Sequence, residues 1–159
     1  MVGKLSVEQI PDIKVKLCTL TDYPQILRIA KIVIKEAYPE EQFNEDKIKD
    51  CFFRTLNNEE YFCIGLEVDN AIKGFSFFTL SELLFVKKKV CICLAIYVEK
   101  QYRRHALGLF KGMEYICKAN NIDRLIVHTL DGLSPKNMDK FLRRLNFKTR
   151  ETGYWKEVI

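Results

Sequence analysis

The sequence predicts an α/β (α+β) domain in which about six to seven strands are flanked by four helices. Residues 90–98, VCICLAIYV, are an uninterrupted apolar run, with the length and β-branched content of a strand buried on both faces. A short polar, basic loop at 99–104 separates that run from a helix. Its apolar residues Ala106, Leu109, Phe110, Met113, Ile116 and Cys117 share one face, with Lys111, Glu114 and Lys118 opposite. Along the whole chain, apolar periods of two and of 3.6 follow one another in the order β-α-α-β-β-β-α-β-α-β-β.

Taken in order, residues 1–12 form a loose leader, and 13–159 form one domain. Ile13, Val15 and Leu17 alternate with Lys14 and Lys16, as in a half-buried strand. Thr21 or Asp22 can cap the next helix, whose first turn tolerates Pro24 and whose stripe is Ile26, Ile29, Ala30, Val33 and Ile34. Pro39 ends it, and residues 44–56 make a second helix with Ile48, Cys51, Phe52 and Thr55 or Leu56 inward. Strands at 60–68 and 71–80 turn about Asp69-Asn70, a good hairpin dipeptide. The second strand continues through Ser81-Glu82 toward residues 83–86, and Lys87-Lys88-Lys89 reads as a solvated turn into the run at 90–98. A further strand covers 124–130. Ser134-Pro135 then opens a helix striped by Met138, Phe141, Leu142 and Leu145, with Asn146 suited to a left-handed helix end. A hairpin, 147–150 and 154–158, closes the chain.

Composition excludes several classes. Nearly half the residues are apolar and 30% are charged, the balance of a globular domain rather than a disordered chain. A net charge of +5 permits an anionic ligand without demanding nucleic acid. Arg103-Arg104 and Arg143-Arg144 come without a recognition-helix signature or a base-stacking motif, so nucleic acid is not the expected partner. No stretch has signal-peptide or membrane-span character, which makes a cytoplasmic protein with no membrane partner the expectation. The six cysteines form no CxxC pair, and with only His105 and His128 beside them no metal site is expected; buried reduced thiols are.

Strand, tight connection and helix start together suit an anion. A helix N-terminus leaves N–H groups unpaired, Arg103 and Arg104 add forked donors, and the small Ala106 and Gly108 keep the first turn slim. The alternative is a plain connection with two solvated arginines. Arg103, Ala106 and Gly108, following Tyr97-Val98, resemble the acetyl-CoA signature of the GNAT family of N-acetyltransferases: Arg or Gln, two residues, Gly or Ala, one residue, Gly or Ala. Phe141-Leu142-Arg143-Arg144-Leu145-Asn146-Phe147 is similar to that family's C-terminal segment, and the order of elements matches over residues 13–158.

The resemblance implies an acyl-CoA N-acyltransferase fold with a mixed central sheet, and acetyl-CoA as acyl donor to an amine, of a small molecule or of a protein N-terminus or lysine. It implies that pantetheine slots between the central strand and the next, which splay at a bulge, and pairs with the backbone of Ile96, Tyr97 and Val98. Main-chain N–H groups of Arg103, Arg104, His105, Ala106, Leu107 and Gly108 would hold the pyrophosphate, with Asn137 a polar contact lower down. The segment 37–44 would lie over the acceptor, where Glu40 and Glu41 could draw a cationic amine. The family's glutamate base and tyrosine acid fall here on Val90 and Leu142, and usual glycines on Arg104, Ala106 and Asn146. Glu82, Tyr97 and Ser134 are the substitute candidates for catalysis, each with a structural alternative: hairpin surface, core aromatic and helix cap. A catalytically quiet protein that keeps the fold, binds CoA or acts through protein contacts is the second reading. A homodimer through the C-terminal hairpin is compatible with the sequence, though no residue points to it.

Overall fold

The computed structural model describes residues 13–128, 135–149 and 156–158. Contacts divide the chain into two units, residues 1–128 and 129–159. In the first, five strands form one sheet in chain order: β1 (Ile13–Leu17), β2 (Tyr61–Val68), β3 (Ala71–Glu82), β4 (Lys89–Val98) and β5 (Arg124–Val127). β1 to β4 are antiparallel neighbours, whereas β4 and β5 are parallel. A parallel pair needs a crossover, and α3 (Leu107–Ala119) supplies it. Helices α1 (Tyr23–Ala37) and α2 (Glu45–Asn57) are inserted between β1 and β2.

Local chemistry explains where these elements begin and turn. The Thr19 N–H donates to Asp22 Oδ2 at 2.8 Å, closing a capping box just before α1, and Asp22 is buried against Lys16 at 3.0 Å. Asn44 caps α2, accepting from the Lys47 N–H at 3.1 Å. The β2–β3 hairpin turns on Asp69 and Asn70 at φ 50° and 64°, the two consecutive positive angles such a turn demands.

The sheet is covered on both faces. α1 and α2 build a core of Ile26, Ile29, Ala30 and Phe52 against Cys63, Phe75, Phe77 and Tyr97. α3 lies on the opposite face, close enough that a Cβ at Gly112 would stand 2.9 Å from Val15 and 3.0 Å from Ile64. There the Ser76 hydroxyl, fully buried, donates to Met113 Sδ at 3.3 Å. All six cysteines are free thiols; Cys51 is half-buried and the others are buried.

Several expectations change. Residues 99–104 are not a loop: Lys100–His105 is a 3-10 helix that runs through Ala106 into α3. The strand expected to reach 83–86 stops at Glu82, and the apolar residues beyond it form an exposed turn. The described residues hold five strands rather than six or seven. Of the expected C-terminal hairpin, 147–149 and 156–158 are not strand, and 150–155 lie outside the described residues, as do the leader 1–12 and residues 129–134.

The second unit contains α4 (Pro135–Arg144). Asn146 ends it at φ 64°, and the Phe147 N–H returns to the Leu142 carbonyl at 3.0 Å, the left-handed ending foreseen for that asparagine. No helix among the described residues is long and apolar enough to cross a membrane.

Candidate active site

The site begins with one extra residue. Phe78 pairs with Cys93 and Phe77 with Ala95, so Leu94 has no partner on β3 and forms a bulge. On the other side, β5 pairs with residues 90–93 only. Among the described residues, no strand faces 94–98 there. The backbone of Ile96, Tyr97 and Val98 is thus brought to a sheet edge that opens where β4 and β5 part.

The bulge also reverses which face each side chain meets. Before it, Cys91 and Cys93 face α3: Cys91 bonds to Cys117, and Cys93 lies 3.6 Å from the Ser76 hydroxyl. After it, Ala95 and Tyr97 face α1 and α2. Tyr97, 6% exposed, donates its hydroxyl to Glu36 Oε2 at 3.0 Å. Arg103 completes the cluster. Its guanidinium lies over the Tyr97 ring at 5.8 Å, its Nε donates to the Val98 carbonyl at 3.3 Å, and Nη2 is 3.7 Å from the same Glu36 oxygen. Burial, reinforced by the bond to Glu36 and its charge, holds the Tyr97 hydroxyl above its ordinary value, with Arg103 pulling the other way. At neutral pH the phenol is therefore a proton donor, set beside a carboxylate whose side chain is 35% exposed. Glu99, at the end of β4, bonds to Arg28, which also donates to the Ile72 carbonyl at 3.3 Å and so ties α1 to this end of the sheet.

At the helix start the picture differs from expectation. The Ala106 N–H bonds inward to the Arg103 carbonyl at 3.1 Å, because the 3-10 turn takes it up. The missing Cβ of Gly108 faces the sheet, 3.1 Å from Val15, so this glycine allows close helix packing rather than a slim outer turn. Arg104 is exposed, and its Nε donates to His105 Nε2 at 3.0 Å. Leu107 and Gly108 stand in the first turn of α3.

Of the remaining candidates, Glu82 does not gather here. Glu82 is exposed at the far end of β3, opposite Lys89, whereas Tyr97 lies opposite Phe75. The two are roughly 20 Å apart along the strand. Asn137 is exposed on α4 in the second unit, and Ser134 lies outside the described residues. His128 follows β5 and is exposed.

No family model matches this chain, and no curated protein matches it. Solved structures do. A GNAT family acetyltransferase from Staphylococcus aureus superposes with a TM-score of 0.67 at 17% identity, over 92% of this chain and 98% of that one. A ribosomal-protein-alanine N-acetyltransferase from Brucella melitensis gives 0.72 at 14%, over 92% and 99%. AAC(6')-Iy, solved with a bisubstrate analog containing CoA, also gives 0.72 at 14%, over 92% and 99%. The chain has the GNAT acetyltransferase fold.

Within this GNAT fold, Glu36 and Arg28 were missed by sequence reasoning. Both look like ordinary polar positions on the outer face of α1. One signal was available for Glu36. A carboxylate in the last turn of a helix opposes the helix dipole, so its presence there asks for another partner. Tyr97 and Arg103 supply it.

Proposed function

We propose that this chain belongs to the GNAT family and is an acetyl-CoA-dependent N-acetyltransferase, in which an amine attacks the thioester directly. The observation that carries the reading is the bulge at Leu94, after which Tyr97 meets Glu36 on one face while, among the described residues, the edge of 94–98 away from β3 has no strand beside it. Acetyl-CoA supplies the activated acyl group.

The open edge suits the amides of a pantetheine arm, which would pair with Ile96, Tyr97 and Val98. Arg104 and His105, with Leu107 and Gly108 in the first turn of α3, would meet the phosphates, the Ala106 N–H being taken up by the Arg103 carbonyl. Arg103 is already engaged by Glu36 and Val98 and belongs to the acceptor side.

The chemistry asked of the protein is modest. Glu36, with Glu40 and Glu41 exposed on the connection that follows α1, draws a cationic amine and takes up its proton. Tyr97 stays protonated and donates to the departing thiolate. A strand N–H near the bulge steadies the developing oxyanion. The acceptor class is thus a cationic amine, of a small molecule or of a protein terminus or lysine. The neighbours include proteins described as acting on ribosomal-protein alanine and on aminoglycosides.

Calorimetric titration with acetyl-CoA, followed by an amine panel, tests this. Micromolar binding and turnover are expected; absence of binding at millimolar ligand overturns the reading. The catalytically quiet alternative is favoured by one observation: Val90 and Leu142, at the family's base and acid positions, are both buried and cannot ionise. Binding without turnover on any amine would select it.

A further inference from the structure

The turn between β3 and β4 takes no part in the site and has the composition of a surface anchor. Leu84, Phe85 and Val86 are 86%, 91% and 52% exposed, an unbroken apolar tip projecting past the last β3–β4 pair, Glu82 with Lys89. The tip is a defined turn. The Leu83 N–H bonds to the Lys88 carbonyl at 2.9 Å, and the Lys88 N–H returns to the Val86 carbonyl at 2.7 Å. Lys87, Lys88 and Lys89 follow immediately, all exposed. The neighbouring carboxylates, Glu82 and Asp123, sit behind the tip at the base of the hairpin. Asp123 binds Lys88 Nζ at 3.2 Å and the Lys89 N–H at 2.9 Å, which orients the base.

We propose that this hairpin tip docks the protein onto an anionic lipid surface. Leu84, Phe85 and Val86 would enter the headgroup boundary, and Lys87 and Lys89 would meet the lipid phosphates. The tip is convex, so a protein partner would need a pocket shaped to it, whereas a bilayer interface accepts a wedge. The lysines lie next to the apolar residues, the arrangement that combines burial with attraction to negative headgroups. Surface attachment needs no membrane-crossing helix, and none is found among the described residues.

The test is co-sedimentation of the full chain with vesicles of phosphatidylcholine alone and of phosphatidylcholine mixed equally with phosphatidylglycerol. Binding to the mixed vesicles is expected, weakening as salt is raised. The L84S/F85S/V86S variant should lower that binding by about tenfold or more, and K87E/K89E should reduce the preference for anionic vesicles by about tenfold. The replaced side chains are exposed, and circular dichroism would verify that the variants fold. The proposal is overturned if the mixed vesicles are not bound, or if both variants bind them as the parent does. It is equally overturned if sedimentation velocity finds that the tip joins two copies of this chain and vesicles are ignored.

Discussion

Residues 90–93 and 94–98 of β4 are both apolar runs in one strand, yet they meet different surroundings. The first half pairs with β3 on one side and β5 on the other, and its Cys91 and Cys93 are packed toward α3. Burial pushes the Cys93 thiol up to about 11, and the bond that Cys91 donates to Cys117, with burial, raises Cys91 further, so these two sulfurs stay protonated and inert. Among the described residues the second half pairs with β3 alone, and it carries Tyr97, a buried phenol tied to a carboxylate and a guanidinium. One residue separates a half paired on both sides from a half that, among the described residues, is paired on one side only. Because side chains alternate with period two, the extra residue lets odd-numbered positions meet α3 before it and α1 and α2 after it.

Removing that residue should have the largest effect. Deleting Leu94 would restore continuous pairing with Ala95 still opposite Phe77 and Tyr97 still opposite Phe75, so both keep their face while the bend at the bulge is lost. Acetyl-CoA binding should weaken by about a hundredfold or more while stability changes by no more than about 1 kcal/mol, read by calorimetry and denaturant unfolding. A fully stable deletion that still binds would mean that the bulge is incidental.

Tyr97→Phe keeps the ring and removes only the donor. Turnover should fall about a hundredfold while stability changes little. The pH profile sharpens this: a raised phenol supports turnover until pH climbs past the ordinary tyrosine value of about 10, so the parent should lose activity only in strong alkali. An unchanged rate in the phenylalanine variant would restrict Tyr97 to packing.

Gly74→Ala probes the backbone of the second half, since a Cβ there would stand 2.8 Å from the Tyr97 carbonyl. Backbone must shift, and destabilisation of about 1–3 kcal/mol is expected by thermal unfolding, with weakened ligand binding. Cys93→Ala should do least. It trims one buried sulfur, costs about 1 kcal/mol and leaves turnover intact; a lost activity would place chemistry in the wrong half.

Much of the fold was legible because it is written in local periods. The apolar run at 90–98, the stripe of α3, the Asp69-Asn70 turn and the asparagine that ends α4 each depend on neighbours a few residues apart. The site was legible only in part. Arg103 and Tyr97 stood out, but the partner that unites them, Glu36, is 61 residues from Tyr97 in sequence. Gly108 was read as keeping the first turn slim for an anion, whereas its open side faces Val15 on the sheet, since spacing along a helix does not say which side meets the sheet. The turn at 83–86 looked like strand because apolar, β-rich residues favour strand wherever a neighbouring strand can cover them. Here none does.

By itself, then, the sequence determined the elements, their order and the character of each face, since these follow from backbone preferences and from the separation of apolar and polar positions. The tertiary structure decided the register. Only when β3 and β4 were paired did Leu94 become a surplus residue, and only then did the faces exchange so that Tyr97, Glu36 and Arg103 met. A bulge is a mismatch between two strands, and neither strand alone contains it.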